Sequence, residues 1–193
     1  MRFTIVMAHP WKGSFNWAIY ENVLQALEST GGKCTTIDLN KDGFDPVMKE
    51  TDLSLFSKGQ TNDPLVRKYQ DLLRESDWLV FIFPIWWFGV PAILKGFFDK
   101  VLLKGFAYES GKIGLKGLLR NIKRTTIITT SESPTLFIKF FAGNPIKRVV
   151  IRGTLNMVGV RNVAWLNHGR TTSGTSGKRE AFLKKVQKHF SVE

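Results

Sequence analysis

Residues 78–84 read Trp-Leu-Val-Phe-Ile-Phe-Pro, and residues 85–91 continue Ile-Trp-Trp-Phe-Gly-Val-Pro. The first half is apolar without a break. A strand open to water on one face alternates apolar with polar side chains, whereas a strand covered on both faces does not. The run therefore predicts a central strand of a parallel sheet with helices on either side. The second half poses a different problem. Trp86, Trp87 and Phe88 follow Pro84 and precede Gly89, and three consecutive large aromatics beyond a strand end cannot all face one core. Either they seal the sheet or an interface, where Trp is a common anchor, or they border a flat, conjugated ligand whose edge meets the backbone amides around Trp86–Gly89.

Working outward, the same chain logic repeats. RFTIVMA at 2–8 reads as a short buried strand. A helical pattern follows from about Phe15 to Ser29, where Phe15, Ile19, Val23 and Leu27 recur at spacing four, and Gly31-Gly32 stops it. A second strand is expected near 34–39, then a long polar connection over 40–62. DPLVRKYQDLLRESD predicts a helix capped by Asp63 with Pro64 in its first turn. Beyond the central strand, PAILKGFFDKVL predicts a helix with Pro91 in its first turn, and GFAYESGKIGLKGLLRNI a Gly-rich excursion with a short hairpin. TTIITT is the next strand, 131–148 has no clear pattern, IRGTLNMVG reads as helical and VRNVAWLN as the last strand. A basic amphipathic helix closes the chain over about Gly177–Phe190, with Phe182, Val186 and Phe190 inward. Strands alternating with helices predict one α/β domain over 1–193, an open parallel five-stranded sheet with right-handed crossovers and helices on both faces.

Bulk composition narrows the function classes. The chain has 193 residues, a formal charge of +12 and a single cysteine. One thiol excludes an internal disulfide framework and fits a reducing compartment; Cys34, in a strand, is expected to be buried and unreactive. No window has the ~18 apolar residues of a membrane span, and MRFTIVMA is too short for a secretory leader. A soluble, cytoplasmic protein is expected. The positive charge favours anionic ligands and loose contact with acidic surfaces, but no nucleic-acid motif or metal-ligand spacing accompanies it. No specific nucleic-acid partner and no metal are expected.

In an open parallel sheet, ligands gather beyond the carboxyl ends of the strands. Three loops are expected there. HPWKGSFN at 9–16 brings His9, Lys12, Ser14 and Asn16 to a helix start. Side chains and free first-turn amides can donate to phosphate oxygens, and Gly13 permits close approach. Ordinary capping by Ser14 explains the same residues, so both readings stay open at this point. The aromatic loop is the second. The third is Thr129-Thr130-Ser131-Glu132, in which Glu132 reads as a solvated loop charge. Asp99 and Lys104 bracket a helix end and are expected to pair or to stay on the surface.

HPWKGSFNWAI, PIWWFGVPAILKGFFDKVLLKGFAY and TTIITT together resemble the flavodoxin-like NAD(P)H:quinone oxidoreductases, the DT-diaphorase and modulator-of-drug-activity group, over roughly the first two-thirds of the chain. The resemblance implies a non-covalent flavin, FMN or FAD. It puts His9, Ser14, Phe15 and Asn16 on the family's phosphate loop. Pro84, Trp86, Trp87, Phe88 and Gly89 fall along the isoalloxazine, and Thr129, Thr130 and Ser131 on the third flavin-contacting loop. It further implies a homodimer with sites at the subunit interface, and reduction of quinones or similar electrophiles by a ping-pong cycle. The family continues Thr-Thr with two glycines and then a catalytic Tyr and His. Here Ser131 and Glu132 replace the glycines, and no Tyr or His occurs between Thr129 and Pro145. No catalytic residue is therefore assigned; Tyr108 and His168 do not align with the missing pair.

The net charge favours NADPH over NADH by steering. Arg170, Lys178 and Arg179 lie in HGRTTSGTSGKRE, which reads either as a nucleotide-contacting loop or as a mobile surface loop, the latter by its Gly/Ser/Thr content. The alternative function is a flavin-binding regulatory subunit of a potassium efflux system, docked on a membrane transporter or an acidic membrane surface. A flavodoxin-type carrier fits poorly, since carriers are acidic with Thr/Gly-rich phosphate loops. A basic nucleic-acid module leaves PIWWFG unexplained.

Overall fold

A computed structural model describes residues 1–191. Five strands form one parallel sheet: β1 (Arg2–Met7), β2 (Lys33–Asp38), β3 (Trp78–Pro84), β6 (Arg124–Ser131) and β7 (Val163–Gly169), in the order β2-β1-β3-β6-β7. The short strands β4 (Tyr108–Ser110) and β5 (Leu115–Gly117) pair as an antiparallel hairpin beside it. Counting only the sheet strands, the order is 2-1-3-4-5, the flavodoxin-like winding. Its direction reverses between β1 and β3, which pair in register from Phe3↔Trp78 to Met7↔Ile82.

The unbroken apolar run of β3 divides by parity. Trp78, Val80 and Ile82 join Phe3, Ile5 and Met7 of β1 under α1 (Phe15–Glu28) and α6 (Ser176–Ser191). Leu79, Phe81 and Phe83 join Val6 and Ala8 on the opposite face, under α3 (Pro64–Glu75) and α4 (Ala92–Val101). Every residue of β3 is buried. Two cores, one on each face, are what a strand without polar alternation requires.

Helix α3 starts as the sequence implies: Asp63 caps it by accepting from the Leu65 amide at 2.9 Å, and Pro64 occupies its first position. Pro91 stands just ahead of α4 rather than inside its first turn. The 40–62 connection is not wholly irregular, for it holds α2 (Glu50–Phe56). That helix buries none of its own residues; a buried ammonium positions it instead. Lys100 of α4 lies 3.6 Å from Asp52 and 3.4 Å from Asp63, donates to the Asp45 carbonyl at 3.1 Å and sits over the Phe44 ring. Segment 131–148 contains α5 (Thr135–Phe140), and the helical stretch after it is a π-helix, Ile146–Leu155. Asp99 pairs with Lys95 at 2.6 Å, one turn back, rather than with Lys104. Cys34 is half-buried, and burial together with Glu28 pushes its thiol up to about 11, so it is unreactive at neutral pH. No described helix is long and apolar enough to cross a membrane.

Candidate functional site

The loop from β1 to α1 leaves the sheet at the reversal point, where ligands of open α/β sheets bind. Ser14 caps α1: its amide donates to the Trp11 carbonyl at 3.2 Å, and its hydroxyl accepts from the Trp17 amide at 3.4 Å. The Trp11 indole lies over Gly13 so closely that a Cβ there would sit 2.6 Å from the ring. The first-turn amides of Phe15 and Asn16 have no intrahelical acceptor by helix geometry, and they lie at the positive end of the helix. His9 Nδ1 accepts from the Trp11 amide at 3.1 Å, which puts the ring proton on Nε2 as a donor. Burial lowers the His9 pKa below its ordinary value, so the ring stays neutral at neutral pH. Lys12 does not line the cavity; its ammonium sits 5.7 Å from the Trp17 ring centroid. The loop's donors toward the cavity are thus neutral.

Asn16 joins this loop to the third one. It is 3% exposed, its Nδ2 donates to Thr130 Oγ1 at 2.9 Å, and its Oδ1 is buried without a partner. A buried acceptor in that condition costs about 1–3 kcal/mol unless a ligand or water satisfies it.

The second loop is a tight turn. Trp86 and Gly89 exchange both backbone hydrogen bonds, at 3.1 and 2.9 Å. The two residues between them are left-handed, Trp87 at φ 49° and Phe88 at φ 59°. Such a turn ordinarily uses Asn-Gly, because bulky side chains are strained at positive φ. Here it holds a Trp that is 99% exposed and a Phe whose ring lies 6.2 Å from that of Phe137.

The third loop begins inside β6. Thr129 turns toward β7, donating to Asn167 Oδ1 at 2.7 Å and accepting from Trp165 Nε1 at 2.9 Å. Thr130 and Ser131 face the cavity. Glu132 is no free loop charge. Its carboxylate accepts from the Thr172 amide at 2.9 Å and the Thr172 hydroxyl at 2.7 Å. That bond brings in a fourth loop, after β7. Thr171 donates to the Ser131 carbonyl through its amide at 3.1 Å and its hydroxyl at 3.2 Å, and Arg179 Nη1 donates to the Thr171 and Gly174 carbonyls. The Gly/Ser/Thr-rich segment is therefore tied down on the site side of the sheet, contrary to its reading as a mobile surface loop.

These loops enclose two adjoining cavities. The first, about 540 Å³, takes His9, Ser14, Phe15 and Asn16 from the first loop and Pro84 and Trp86 from the second. Thr130, Ser131 and Glu132 come from the third, and Thr171, Thr172 and Arg179 from the fourth. The other, about 570 Å³, shares Trp86, Ser131 and Glu132 and adds Trp87, Phe88 and Ile138. Gly89 and Thr129 line neither. Apart from their hydroxyls, nothing in the pattern of residues marks Thr171 and Thr172. His168 lies behind the site, 6% exposed, with its ring edge-on to Phe15 at 4.9 Å and to Phe182 at 5.2 Å. Burial, and secondarily Arg179, lowers its pKa. Tyr108, on the hairpin, borders a different depression.

The family model described as flavodoxin-like fold matches residues 1–190. NAD(P)H dehydrogenase [quinone] 1 of Cavia porcellus is 34% identical over an alignment of 177 positions that covers 82% of this chain and 64% of that protein. The chain belongs to the flavodoxin-like NAD(P)H:quinone oxidoreductase family. An uncharacterized NAD(P)H oxidoreductase of Haemophilus influenzae is 30% identical over 164 residues, in a match covering 84% of this chain and 81% of that protein. Smu.1420 of Streptococcus mutans UA159, known as a crystal structure, superposes with a TM-score of 0.85 at 34% identity, covering 99% of both chains. The chain spans 64% and 56% of the lengths of the NAD(P)H dehydrogenase [quinone] 1 proteins of Cavia porcellus and Rattus norvegicus. Its family therefore rests on sequence and fold alike, and its chemistry rests on the loops described above.

Proposed function

We propose that this protein is a flavin-dependent NAD(P)H oxidoreductase that passes a hydride from NAD(P)H, through non-covalently held FMN or FAD, to quinones or similar small electrophiles. One arrangement carries the reading: a neutral anion cradle at the start of α1 and a strained aromatic turn border two adjoining cavities, with lining residues in common, at the reversal point of the sheet. The donors fit a phosphate group of either flavin, since the amides of Phe15 and Asn16, the Ser14 hydroxyl and His9 Nε2–H all belong to cavity-lining residues of one loop. The orphaned Oδ1 of Asn16 fits a ligand hydroxyl beside that phosphate. Flavin, when bound, supplies the hydride chemistry itself.

The chain's own residues bind, orient and exclude water. Trp86 and the peptide groups up to Gly89 flank the position a planar ring would take, and Thr130 and Ser131 border it from the neighbouring strand. Trp87, Phe88 and Ile138 give the second cavity an apolar boundary suited to a nicotinamide and then an acceptor, each in turn. The net charge of +12 supports NADPH as the donor. Leu136, Phe140 and Phe141 stand 68%, 74% and 79% exposed next to this opening, which supports a homodimer that covers them.

The decisive experiment is purification followed by heat release and mass measurement of any bound flavin, then bleaching of the yellow protein by NADPH and its restoration by menadione. A colourless protein that neither FMN nor FAD reconstitutes would overturn the proposal. Flavin binding without turnover would favour the regulatory alternative.

A further inference from the structure

The opposite edge of the sheet carries a second concavity. It lies among Lys123, immediately before β6, Arg161 and Asn162, immediately before β7, and the β4–β5 hairpin. The eight residues of β6 at ~3.3 Å each set it roughly 25 Å from the cofactor cavity. Its volume is about 800 Å³. Five cationic side chains line it, Lys112, Lys116, Arg120, Lys123 and Arg161, and no carboxylate does.

The hollow is built by backbone contacts rather than left over between loops. Gly117 of β5 meets Gly159 so closely that a Cβ on it would fall 2.1 Å from the Gly159 nitrogen. The Leu119 amide donates to the Val158 carbonyl at 2.9 Å, holding the hairpin against the turn before β7. Asn162 Nδ2 donates to the Lys123 carbonyl at 3.2 Å and fixes the floor. Neutralisation is partial. Lys116 pairs with Glu109, and Asp77 interacts with Lys123 from outside the lining. Lys112 and Arg161 have no ion pair among the described residues. Holding like charges around one hollow costs free energy that a multivalent anion would recover.

We propose that this concavity binds a ligand carrying two or more phosphate groups. The inference is independent of the flavin reading. A single small anion cannot engage cations from the hairpin, the β6 entry and the β7 entry together, whereas linked phosphates can. The phosphates can belong to a soluble molecule or to a lipid headgroup. At the rim, Ile113 at the hairpin tip is 97% exposed, as a headgroup-bound protein would need for contact with the acyl boundary.

The test uses the full chain. Inorganic tripolyphosphate is titrated by calorimetry against the wild type, Lys123→Ala/Arg161→Ala, Ser14→Asp and the α6 control Lys184→Ala/Lys185→Ala, with thermal unfolding confirming that each is folded. Saturable binding should weaken about tenfold or more in the Lys123/Arg161 variant and persist in the other two. Cosedimentation with phosphatidylcholine vesicles containing a phosphatidylinositol bisphosphate separates the sources. Vesicle binding that tripolyphosphate displaces and Ile113→Ser weakens supports a headgroup ligand. Tripolyphosphate binding without vesicle binding supports a soluble one. Binding that Ser14→Asp abolishes, or that the α6 control weakens equally, would overturn the proposal, as would no binding of either probe.

Discussion

The first and second loops of the candidate site lie side by side and are built on opposite principles. Between His9 and Asn16 the backbone is relaxed, the helix is capped, and the proposed recognition would use amides that helix geometry leaves free. Between Trp86 and Gly89 the backbone is strained, and the proposed recognition would use aromatic side chains that the turn pushes into solvent. The contrast separates two ways of making a site. The first costs the fold little, because every helix must start somewhere. The second is maintained against local conformational preference, and strain of that kind is found where a surface has work to do beyond folding.

The sharpest way to break the contrast is to put a charge in the relaxed loop. Ser14→Asp still caps α1 but sets a carboxylate against the phosphate position. Flavin affinity is expected to fall about a hundredfold or more, since close like charges cost several kcal/mol, while circular dichroism and the melting temperature stay near wild type. Next is the bond between loops. Thr130→Val removes the acceptor and leaves the Asn16 Nδ2 donor buried and unpaired, and denaturant unfolding of the flavin-free protein is expected to show a loss of about 1–3 kcal/mol. Equal stability would mean that the two loops are held independently. The strained turn should respond in the other direction. Trp87→Asn/Phe88→Gly supplies the residues such a turn prefers, so unfolding free energy should rise by roughly 1–2 kcal/mol while flavin affinity falls about tenfold. A loss of stability would show that the aromatics support the fold.

The smallest effect is in pH. His9, His168 and His189 all have lowered pKa values, each chiefly through burial. Unfolded, they take up protons near the ordinary value of 6.5; folded, they do so only at lower pH. The unfolded state then binds more protons below that value, so stability should be flat above it and decline as pH falls through the lowered range. Thermal melts from about pH 8 to about pH 5 would show this. His168→Leu should make the decline shallower; an unchanged slope would assign it to the other two histidines or to the carboxylates.

What the sequence disclosed and what it hid follow one physical line. β3 is readable because burial on both faces leaves no polar position in seven residues. Ser14, Asn16 and Trp86 are readable as a set because parallel winding brings strand ends to one edge. α2 is hidden because its seven residues bury nothing of their own and depend on Lys100, about fifty positions away. A lysine in an amphipathic helix gives no sign that it will be 6% exposed. Thr171 and Thr172 are hidden because the small polar residues of a free loop and of a docked one look alike until Glu132 is seen to hold them. The π-helix reads as an ordinary helix because apolar spacing does not distinguish one extra residue per turn.

The exposure of Trp87 makes the strained turn observable by light. Its indole is 99% exposed, whereas Trp78 is 5% exposed within the core. Water around an exposed indole shifts its emission to longer wavelengths, and a flat chromophore arriving beside it would quench that component first. Trp11 and Trp86 of the same site are 67% and 49% exposed, so the red edge of the tryptophan fluorescence should report loading of the first and second loops together, and a Trp87→Phe variant would isolate the second loop's share.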